Sequence, residues 1–318
     1  MFESYLIYLN TVLRSKYIRE QYIKKIGFEE AVHKFNSMSG KPVHEALSIQ
    51  GVMYKKIKSG EPFFAGRLGS NELLLTAKCK LDIHHKMKKS MDVLCTNAGF
   101  FPNDMNLANE YTQLMIKSMR NNDVLGISYI PFEDYAIKNW FPSTTELTEI
   151  RYLEPWFSEK PWTLALEGKK VLVIHPFSEE IQSQYAHKDK LFDREILPDF
   201  DLLTQKAIQT IAGTKDSRFS TWFDALDYMT EEALKKDFDV ALIGCGAYGF
   251  PLASRIKEAG KQAVHMGGVL QAMFGIKGKR WDVDMNPTVR NFYNEYWIRP
   301  GVTNTPQNNN SVEQGCYW

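Results

Sequence analysis

Three glycines late in the chain have the spacing of a loop that binds phosphate. Gly244, Gly246 and Gly249 form a G-x-G-x-x-G pattern, with Tyr248 inside it, between an apolar run and a helical stretch. Glycines at these positions permit a tight turn and let backbone N–H groups approach a phosphate at the N-terminus of a helix. The pattern predicts either a phosphate-contacting loop or a turn that needs glycine only for close packing.

The same spacing is typical of nicotinamide cofactor sites, but the sequence that follows differs from such sites. There, an Asp or Glu at the end of the next strand binds the ribose hydroxyls. Here that strand is predicted to end at His265, and Met266, Gly267 and Gly268 follow it without a carboxylate. The sequence therefore disfavours a nicotinamide cofactor and favours a different phosphate ligand.

Gly267 and Gly268 form a second candidate cradle for an anion, because they lie between a predicted strand and a short helix. Three basic residues follow at Lys277, Lys279 and Arg280. Basic side chains of this kind can neutralise a diphosphate, but they are equally typical of a turn that is exposed to solvent. Both interpretations stay open on the sequence.

A third group of residues lies in the stretch AGRLGSNEL, at a predicted strand-to-helix turn: Arg67, Gly69, Ser70 and Glu72. Arginine is suited to binding phosphate, and a carboxylate is suited to ligating a divalent cation or to acting as a base. The stretch also fits a purely structural turn. In that interpretation Ser70 is the N-cap, Glu72 stabilises the first helical turn and Arg67 forms an ion pair.

A histidine ends another predicted strand, in the sequence VIHPF. His175 precedes Pro176 there, and an imidazole at a strand end can contact a ligand or titrate near neutral pH. A buried structural histidine is the alternative. His84 and His85 have no convergent partners in the sequence and are expected on the surface.

Apolar runs of strand length alternate with helical patterns at residues 61–69, 123–130, 169–177, 239–246 and 261–268. Between them, residues 132–168 are aromatic and irregular. The alternation predicts an α/β fold with a Rossmann-like, mostly parallel sheet and helices on both faces. Ligands bind beyond the carboxyl ends of the strands in such sheets, which is where Arg67, His175 and the glycines fall.

Three parts are expected along the chain. Residues 1–44 form an N-terminal helical extension, residues 45–281 a Rossmann-like catalytic domain, and residues 282–318 an extended tail rich in Asn, Pro and aromatic residues. The helical pattern continues as far as residue 60, with Pro42 near the start of the last helix and Gly60 at its end.

Composition excludes several classes of protein. The 318 residues are 44% hydrophobic and 24% charged, with a net charge of +1, so no broad basic surface for nucleic acid is expected. No apolar run approaches the ~20 residues of a membrane span. The four cysteines are scattered, and no P-loop or H-E-x-x-H motif is present. A reduced, cytoplasmic protein is the expectation.

Several of these stretches together resemble a family of bacterial glycosyltransferases with the GT-D fold, formerly a domain of unknown function. The resemblance rests on GRLGSNEL, VLVIHPF and GCGAYGFPLASRIKEAGKQAVHMGGVLQAMFGIKGKRW, with NEYWIRP and EQGCYW near the end. It covers residues 45–318 and is most specific in the late glycine-rich stretch.

The resemblance implies a nucleotide-sugar donor, with a UDP-sugar expected first, and transfer to a surface polysaccharide or glycoprotein glycan, including a lipid-linked acceptor. Glu72 and His175 would be catalytic, and Glu72 would ligate a divalent Mn or Mg ion. The family motif has Asp where this chain has Ser70, which puts the metal in question. Donor contacts are expected from Arg67, Gly69, Ser70, Gly244, Gly246, Tyr248, Gly249, His265, Gly267, Gly268, Lys277, Lys279 and Arg280.

Two alternatives from other classes remain on the sequence. The first is a nucleotide-dependent oxidoreductase or epimerase that uses the Gly244–Gly249 loop. The second is a non-catalytic partner of a glycan-assembly complex, in which Ser70 marks the loss of metal chemistry. Basic residues in the N-terminal helical pattern (Lys16, Arg19, Lys24 and Lys25) suit association with the inner membrane face, or simply a solvated helix face.

Overall fold

A computed structural model describes residues 2–283, 288–308, 310 and 315–318. In this part of the chain, the sheet contains the following strands: β1 (Ser37–Met38), β2 (Lys41–His44), β3 (Phe63–Arg67), β4 (Val124–Ile127), β5 (Glu146–Glu149), β6 (Lys170–His175), β7 (Asp201–Lys206), β8 (Val240–Ile243) and β9 (Gln262–His265). Their order across the sheet is β1-β2-β5-β4-β3-β9-β8-β6-β7. The short β1 pairs antiparallel with β2, and every other pairing is parallel.

Two hydrophobic cores cover the two faces of the sheet. Successive side chains of a strand point to opposite faces, and in β6 Leu172 and Ile174 join one core while Val171 and Val173 join the other. A parallel strand covered on both faces is apolar throughout, which is why β6 and β8 were visible in the sequence. The predicted α/β fold, with a mostly parallel sheet between helices, is confirmed.

The helices form the two outer layers. They are α1 (Phe2–Tyr17), α2 (Lys24–Ile26), α3 (Phe28–Lys34), α4 (Ala46–Ser59), α5 (Ser70–Lys80), α6 (Met87–Ala98), α7 (Ala108–Arg120), α8 (Glu133–Asn139), α9 (Ser178–Tyr185), α10 (Trp222–Leu234), α11 (Gly249–Glu258), α12 (Leu270–Met273) and α13 (Lys279–Asp282), with a π-helical segment at Ile18–Ile23. Helices α5, α6, α7, α10 and α11 pack on one face, and α4, α9 and α12 pack on the other.

The N-terminal helical pattern is interrupted earlier than the sequence predicts. Residues 37–44 contain β1 and β2, so Pro42 lies in a strand and not near the start of a helix. Helix α4 begins only at Ala46, after Val43 and His44 have paired with β5. Proline is compatible with a short strand near the sheet edge because its φ angle is fixed and it donates no hydrogen bond. Gly60 ends α4 in the left-handed conformation, as predicted.

Three further stretches differ from the sequence-based interpretation. Residues 132–168 are more regular than expected, since they contain α8, β5 and short 3₁₀ turns. The edge strand β7 was missed because its sequence, DLLTQK, is polar at both ends and does not form an apolar run. Residues 282–318, predicted as an extended tail, include 3₁₀ turns at Arg290–Phe292 and Val302–Asn304 in their described part, and they bury Trp297 and Cys316. Residues 284–287, 309 and 311–314 lie outside the described part.

The sheet has a topological switch point at β6 and β8. From β6 the chain passes through α9 to β7, whereas from β8 it passes through α11 to β9 on the other side. The loops that follow these neighbouring strands therefore diverge and leave a crevice at the carboxyl edge of the sheet. Such a crevice is the usual ligand site of an open α/β sheet.

Candidate functional site

A cavity of about 150 Å³ occupies this crevice at the carboxyl edge of the sheet. Ten of the residues that the sequence singled out line it: Arg67, Gly69, Glu72, His175, Gly244, Gly246, Tyr248, His265, Gly267 and Gly268. They come from the ends of β3, β6 and β9 and from the segments that follow β3, β8 and β9, which are widely separated in sequence. The structure brings these residues together, and the role of each stays a prediction.

Arg67 is the last residue of β3, and its side chain crosses to the loop after β9. Its Nη1 lies 3.5 Å from the Met266 carbonyl oxygen. A Cβ atom built on Gly267 would lie 3.3 Å from the arginine Nε, so the side chain is packed against glycine backbone. Burial and the positive charge of Arg280 lower the pKa of Arg67, while Tyr317, Glu154 and Glu72 raise it. A guanidinium that has lost much of its hydration is well placed to bind an anion.

Three helices begin at the cavity. Gly69 precedes α5, Phe177 precedes α9 and Tyr248 precedes α11, and all three residues line the cavity. The N-terminus of a helix has unpaired N–H groups and a partial positive charge. Together with Arg67, these termini make the cavity electropositive and suited to phosphate.

Glu72 lies in the first turn of α5, where its carboxylate folds back over the start of its own helix. A Cβ atom on Gly69 would come within 1.9 Å of the Glu72 Oε2 atom, so a larger residue there would displace the Glu72 carboxylate. Gly69 is the N-cap residue, and Ser70 is the first helical residue. The prediction of Ser70 as N-cap is therefore wrong. Its side chain is exposed and does not line the cavity, and helix α5 begins one residue earlier than an N-cap at Ser70 would place it.

His175 is buried at the end of β6. Burial lowers its pKa to about 3, so the imidazole is neutral at physiological pH. Its Nδ1 accepts a hydrogen bond from the Phe177 N–H at 3.0 Å. This partner assigns the proton to Nε2, which makes His175 a hydrogen-bond donor at the cavity.

His265, at the end of β9, is neutral as well but has the opposite tautomer. Burial, together with the positive charge of Arg67, lowers its pKa to about 3. Its Nδ1 lies 3.3 Å from the Ile243 carbonyl oxygen, which can only accept. Nδ1 therefore carries the proton, and Nε2 keeps a free lone pair. The two imidazoles thus supply one donor and one acceptor.

These histidines predict acid sensitivity of the fold. Both have a pKa of about 3 in the folded protein against an ordinary value of 6.5, so the unfolded chain binds more protons between these pH values. Their contribution to stability is complete above pH ~6.5 and is lost as the pH falls toward ~3. Each adds a slope of up to about 1.4 kcal/mol per pH unit. Denaturant unfolding of His175→Gln should therefore show a pH slope that is shallower by one proton.

The variant must be compared with the parent, because buried carboxyl groups change the stability with pH in the direction opposite to that of the buried histidines. Burial raises the pKa of Glu133 to about 8, of Glu149 to about 7 and of Glu154 to about 8. Their contribution is complete below pH ~4.5 and is lost as the pH rises through these values. Both proteins share this term, so it cancels in the difference. Equal slopes for the parent and His175→Gln would contradict a neutral buried His175.

The glycines serve different purposes around the cavity. Gly246 and Gly267 have φ angles of 59° and 64°, which favour glycine, and they open the 3₁₀ turns after β8 and β9. A Cβ atom on Gly244 would lie 2.7 Å from the His175 ring and from the Gly267 carbonyl oxygen. Gly249 does not line the cavity. A Cβ atom there would lie 2.1 Å from the His265 ring, so this glycine allows α11 to pack on β9.

Tyr248 is held by aromatic packing. Its ring is stacked on Trp222 with a centroid distance of 4.8 Å and an interplanar angle of 9°. Its hydroxyl lies 2.9 Å from Thr210 Oγ1, which itself donates to the Gly99 carbonyl oxygen at 2.6 Å. The tyrosine hydroxyl therefore donates to Thr210. This packing fixes the start of α11 beside the cavity.

The basic residues expected to neutralise a diphosphate lie behind the cavity and do not line it. Lys277 Nζ is 5.1 Å from the centre of the Tyr293 ring, and the Arg280 guanidinium is 4.8 Å from the centre of the Tyr317 ring. Lys279 is exposed, and its N–H donates to the Trp318 carbonyl oxygen at 3.2 Å. The short helix α13 turns this segment away, so proximity in sequence did not place these side chains at the site.

Two aromatic residues at the cavity were not among the predicted site residues. Tyr317 and Trp318 both line it. A Cβ atom on Gly268 would lie 2.2 Å from the Tyr317 ring, and Gln271 Nε2 donates to the Tyr317 carbonyl oxygen at 3.0 Å. The aromatic character of YW was the only local signal. Its contact with Gly268 is tertiary and has no signature in the sequence.

Two carboxyl groups behind Arg67, the buried Glu149 and the half-buried Glu154, were also absent from the predicted site residues. Glu149 ends β5 and is fully buried, with Oε2 accepting from the Arg151 N–H at 3.0 Å. Its other oxygen, Oε1, is buried without a hydrogen bond. Burial raises the pKa of Glu154 to about 8, against the opposing effect of Arg67. Arg67, which lines the cavity, therefore also interacts electrostatically with the carboxyl groups of Glu149 and Glu154.

The described residues do not provide a protein-held site for a divalent cation. Glu72 is the only carboxylate among the described residues that line the cavity. No three His, Cys, Asp or Glu side chains in the described ranges come together as metal ligands. Mg²⁺ and Mn²⁺ prefer several oxygen ligands, and the exposed Ser70 supplies none toward the cavity. No chemical step is therefore assigned to a metal.

Comparisons with known proteins give a similar solved structure but no match among family models or curated proteins. The solved structure is a selenomethionine-substituted domain of unknown function 1792 (DUF1792), with 11% identity, a TM-score of 0.43, and coverage of 83% of this chain and 97% of that chain. The resemblance to the glycosyltransferase family therefore stays a prediction. Among the described helices, none is both long and apolar enough to cross a membrane.

Proposed function

We propose that this chain is a glycosyltransferase that moves a sugar from a nucleoside diphosphate sugar, with a UDP-sugar expected first, to a glycan acceptor. The observation that carries the proposal is the electropositive cavity formed by Arg67 and the starts of α5, α9 and α11 at the switch point of the sheet. A diphosphate complements this cavity in charge and in hydrogen bonding. The proposal includes a reaction in the cytoplasm, on a polysaccharide or glycoprotein glycan.

The reaction assigns distinct tasks to residues of the cavity. The bond between the anomeric carbon and the diphosphate oxygen breaks, the leaving diphosphate keeps the electron pair, and the acceptor hydroxyl oxygen bonds to the anomeric carbon. Arg67 and the N–H groups of the two glycine turns stabilise the charge that develops on the diphosphate. Glu72 receives the hydroxyl proton. His175 donates from Nε2 to an oxygen of the donor.

The acceptor is proposed to enter through a groove that adjoins the cavity. This groove has a volume of about 520 Å³ and shares Pro176, Ile208 and Gln209 with the cavity. Its other lining residues are mostly polar, with Tyr228 supplying an aromatic surface. Polar groups beside an aromatic ring suit a saccharide, whose hydroxyls need hydrogen bonds and whose C–H faces pack on rings.

A nucleotide-dependent oxidoreductase or epimerase is the second candidate, because the glycine spacing is shared with dinucleotide sites. The structure offers it less support. Strand β9 ends in His265 where such sites have a carboxylate, and the third glycine of the pattern, Gly249, faces the His265 ring. A non-catalytic role in a glycan-assembly complex would leave the same cavity without turnover.

A thermal-shift screen with UDP, GDP, CDP, TDP and NAD, each with and without manganese, tests the proposal. A ligand that binds only the folded protein raises its free energy of unfolding, by about 2.7 kcal/mol at a ligand concentration of a hundred times the Kd, and so raises the melting temperature. We expect a shift with a nucleoside diphosphate and none with NAD. A shift with NAD alone would exclude the transferase.

Turnover and metal use need two further arms. Release of the nucleoside diphosphate from the matching nucleotide sugar, with a glycan acceptor present, separates an enzyme from a non-catalytic partner. Glu72→Gln should abolish this release while the nucleotide still raises the melting temperature. Manganese dependence of the shift, lost in Glu72→Ala, would mean that Glu72 and the diphosphate hold a cation between them.

A further inference from the structure

The outer face of helix α1 carries large apolar side chains that are exposed. The exposed fractions are 43% for Tyr5, 49% for Leu6, 38% for Leu9, 63% for Leu13 and 54% for Tyr17. At 100° per residue, these five positions lie within about 120° of the helix circumference. They form a continuous stripe, which we call the α1 stripe. No other helix in the described ranges has more than two exposed large apolar residues.

The opposite face of α1 is the one that attaches the helix to the protein. Thr11 and Ser15 are buried there, and Ser15 Oγ donates to the Tyr129 carbonyl oxygen at 2.6 Å. The Tyr8 ring packs on Phe132 with a centroid distance of 5.9 Å. The attached face of the helix therefore combines small polar residues with Ile7 and Tyr8, which pack on the core, while the outer face exposes large apolar side chains. An ordinary surface helix has a polar outer face, and exposed apolar patches mark interaction surfaces.

The charge beside the α1 stripe indicates what covers it. Residues 2–25 contain five basic residues (Arg14, Lys16, Arg19, Lys24 and Lys25) against two acidic ones (Glu3 and Glu20), although the whole chain has a net charge of only +1. All of these basic residues are exposed, and Arg14 is paired with Asp134 at 2.6 Å. The positive charge lies at and beyond the C-terminal half of the stripe.

We propose that the α1 stripe binds the surface of an anionic lipid bilayer. In such a site the apolar face of a helix enters the boundary between headgroups and acyl chains, and flanking lysines and arginines contact anionic headgroups. Tyr5 and Tyr17, at the two ends of the stripe, are of the residue type enriched at membrane interfaces. A second copy of the chain suits the stripe less well, because it would bring two basic segments together and they would repel each other. The inference is independent of the proposed activity.

Vesicle sedimentation of the purified full chain tests this binding. We expect binding to vesicles of phosphatidylglycerol and phosphatidylcholine, and weaker binding to phosphatidylcholine alone or at high salt. The double substitution Leu6→Gln and Leu13→Gln should lower the partition coefficient at least about tenfold, because two apolar side chains no longer enter the bilayer. The double substitution Lys16→Gln and Arg19→Gln removes two positive charges, so it should weaken only the binding to anionic vesicles.

The matched control is Leu47→Gln on α4, since Leu47 is 76% exposed but lies outside the stripe. This variant should bind vesicles like the parent, and all variants should melt at the parent's temperature because the replaced side chains are exposed. Binding that survives Leu6→Gln with Leu13→Gln would overturn the proposal, as would the absence of vesicle binding. A dimer in light scattering that the double variant abolishes, without vesicle binding, would assign the stripe to a second copy.

Discussion

Arg67→Met is expected to weaken binding of the nucleoside diphosphate by about 2–4 kcal/mol, which is roughly 30-fold to 1,000-fold. The guanidinium is the only cationic side chain among the described residues that line the cavity, and it is held against Gly267 by β3 and the loop after β9. Without this guanidinium, the only positive groups that face a bound phosphate at the described cavity are the N-termini of the helices. Isothermal titration with the diphosphate that gives the largest thermal shift measures the loss.

A second substitution separates charge from geometry. Arg67→Lys keeps the positive charge but loses the planar fork that contacts two phosphate oxygens, so we expect an intermediate loss. Arg120→Lys, on the exposed end of α7, is the matched control and should bind like the parent. The melting temperature without ligand shows whether the loss comes from unfolding, because Arg67 also faces Glu154 and Glu72. Unchanged affinity in Arg67→Met would mean that the anion site lies elsewhere.

The predictability of the sheet depends on what each strand touches. Strands β6 and β8 are covered on both faces, so their sequences are apolar runs that can be recognised without a structure. Strand β5 reads ELTE and was missed, because its polar residues do not form an apolar run and find their partners only in the folded chain. Thr148 Oγ1 donates to the His44 carbonyl oxygen at 3.0 Å, and Glu149 accepts from the Arg151 N–H. Its neighbours in space come from distant segments.

The same distinction applies to the cavity. Arg67 and His175 were accessible from the sequence, because the carboxyl end of a parallel strand is a general position for ligand contacts. Tyr317 was not, since it reaches the cavity only through contacts with Gly268 and Gln271. The position of Lys277 and Arg280 depends on the turn into α13, which no pattern in the sequence specifies. Local rules identify strand ends, but not the segments that fold over them.

Gly249→Ala is expected to destabilise the protein by about 1–3 kcal/mol, although alanine is the better helix former by about 1 kcal/mol. The added Cβ would lie 2.1 Å from Cε1 and 2.2 Å from Nδ1 of the His265 ring. The ring is buried between α11 and β9, and its N–H donates to the Ile243 carbonyl oxygen, so it cannot rotate away without losing that bond. Denaturant unfolding at neutral pH measures the change.

A matched glycine and a double-mutant cycle locate the cause. Gly51→Ala, inside α4, meets no atom within 4 Å and should stabilise the protein by about 0.5–1 kcal/mol. Adding Gly249→Ala to His265→Ala should cost much less than adding it to the parent, with a coupling energy of about 1–3 kcal/mol. Additive effects would contradict the contact. A strong coupling would mean that the third glycine of the pattern is required for packing a strand against a helix, so that its presence alone does not identify a dinucleotide site.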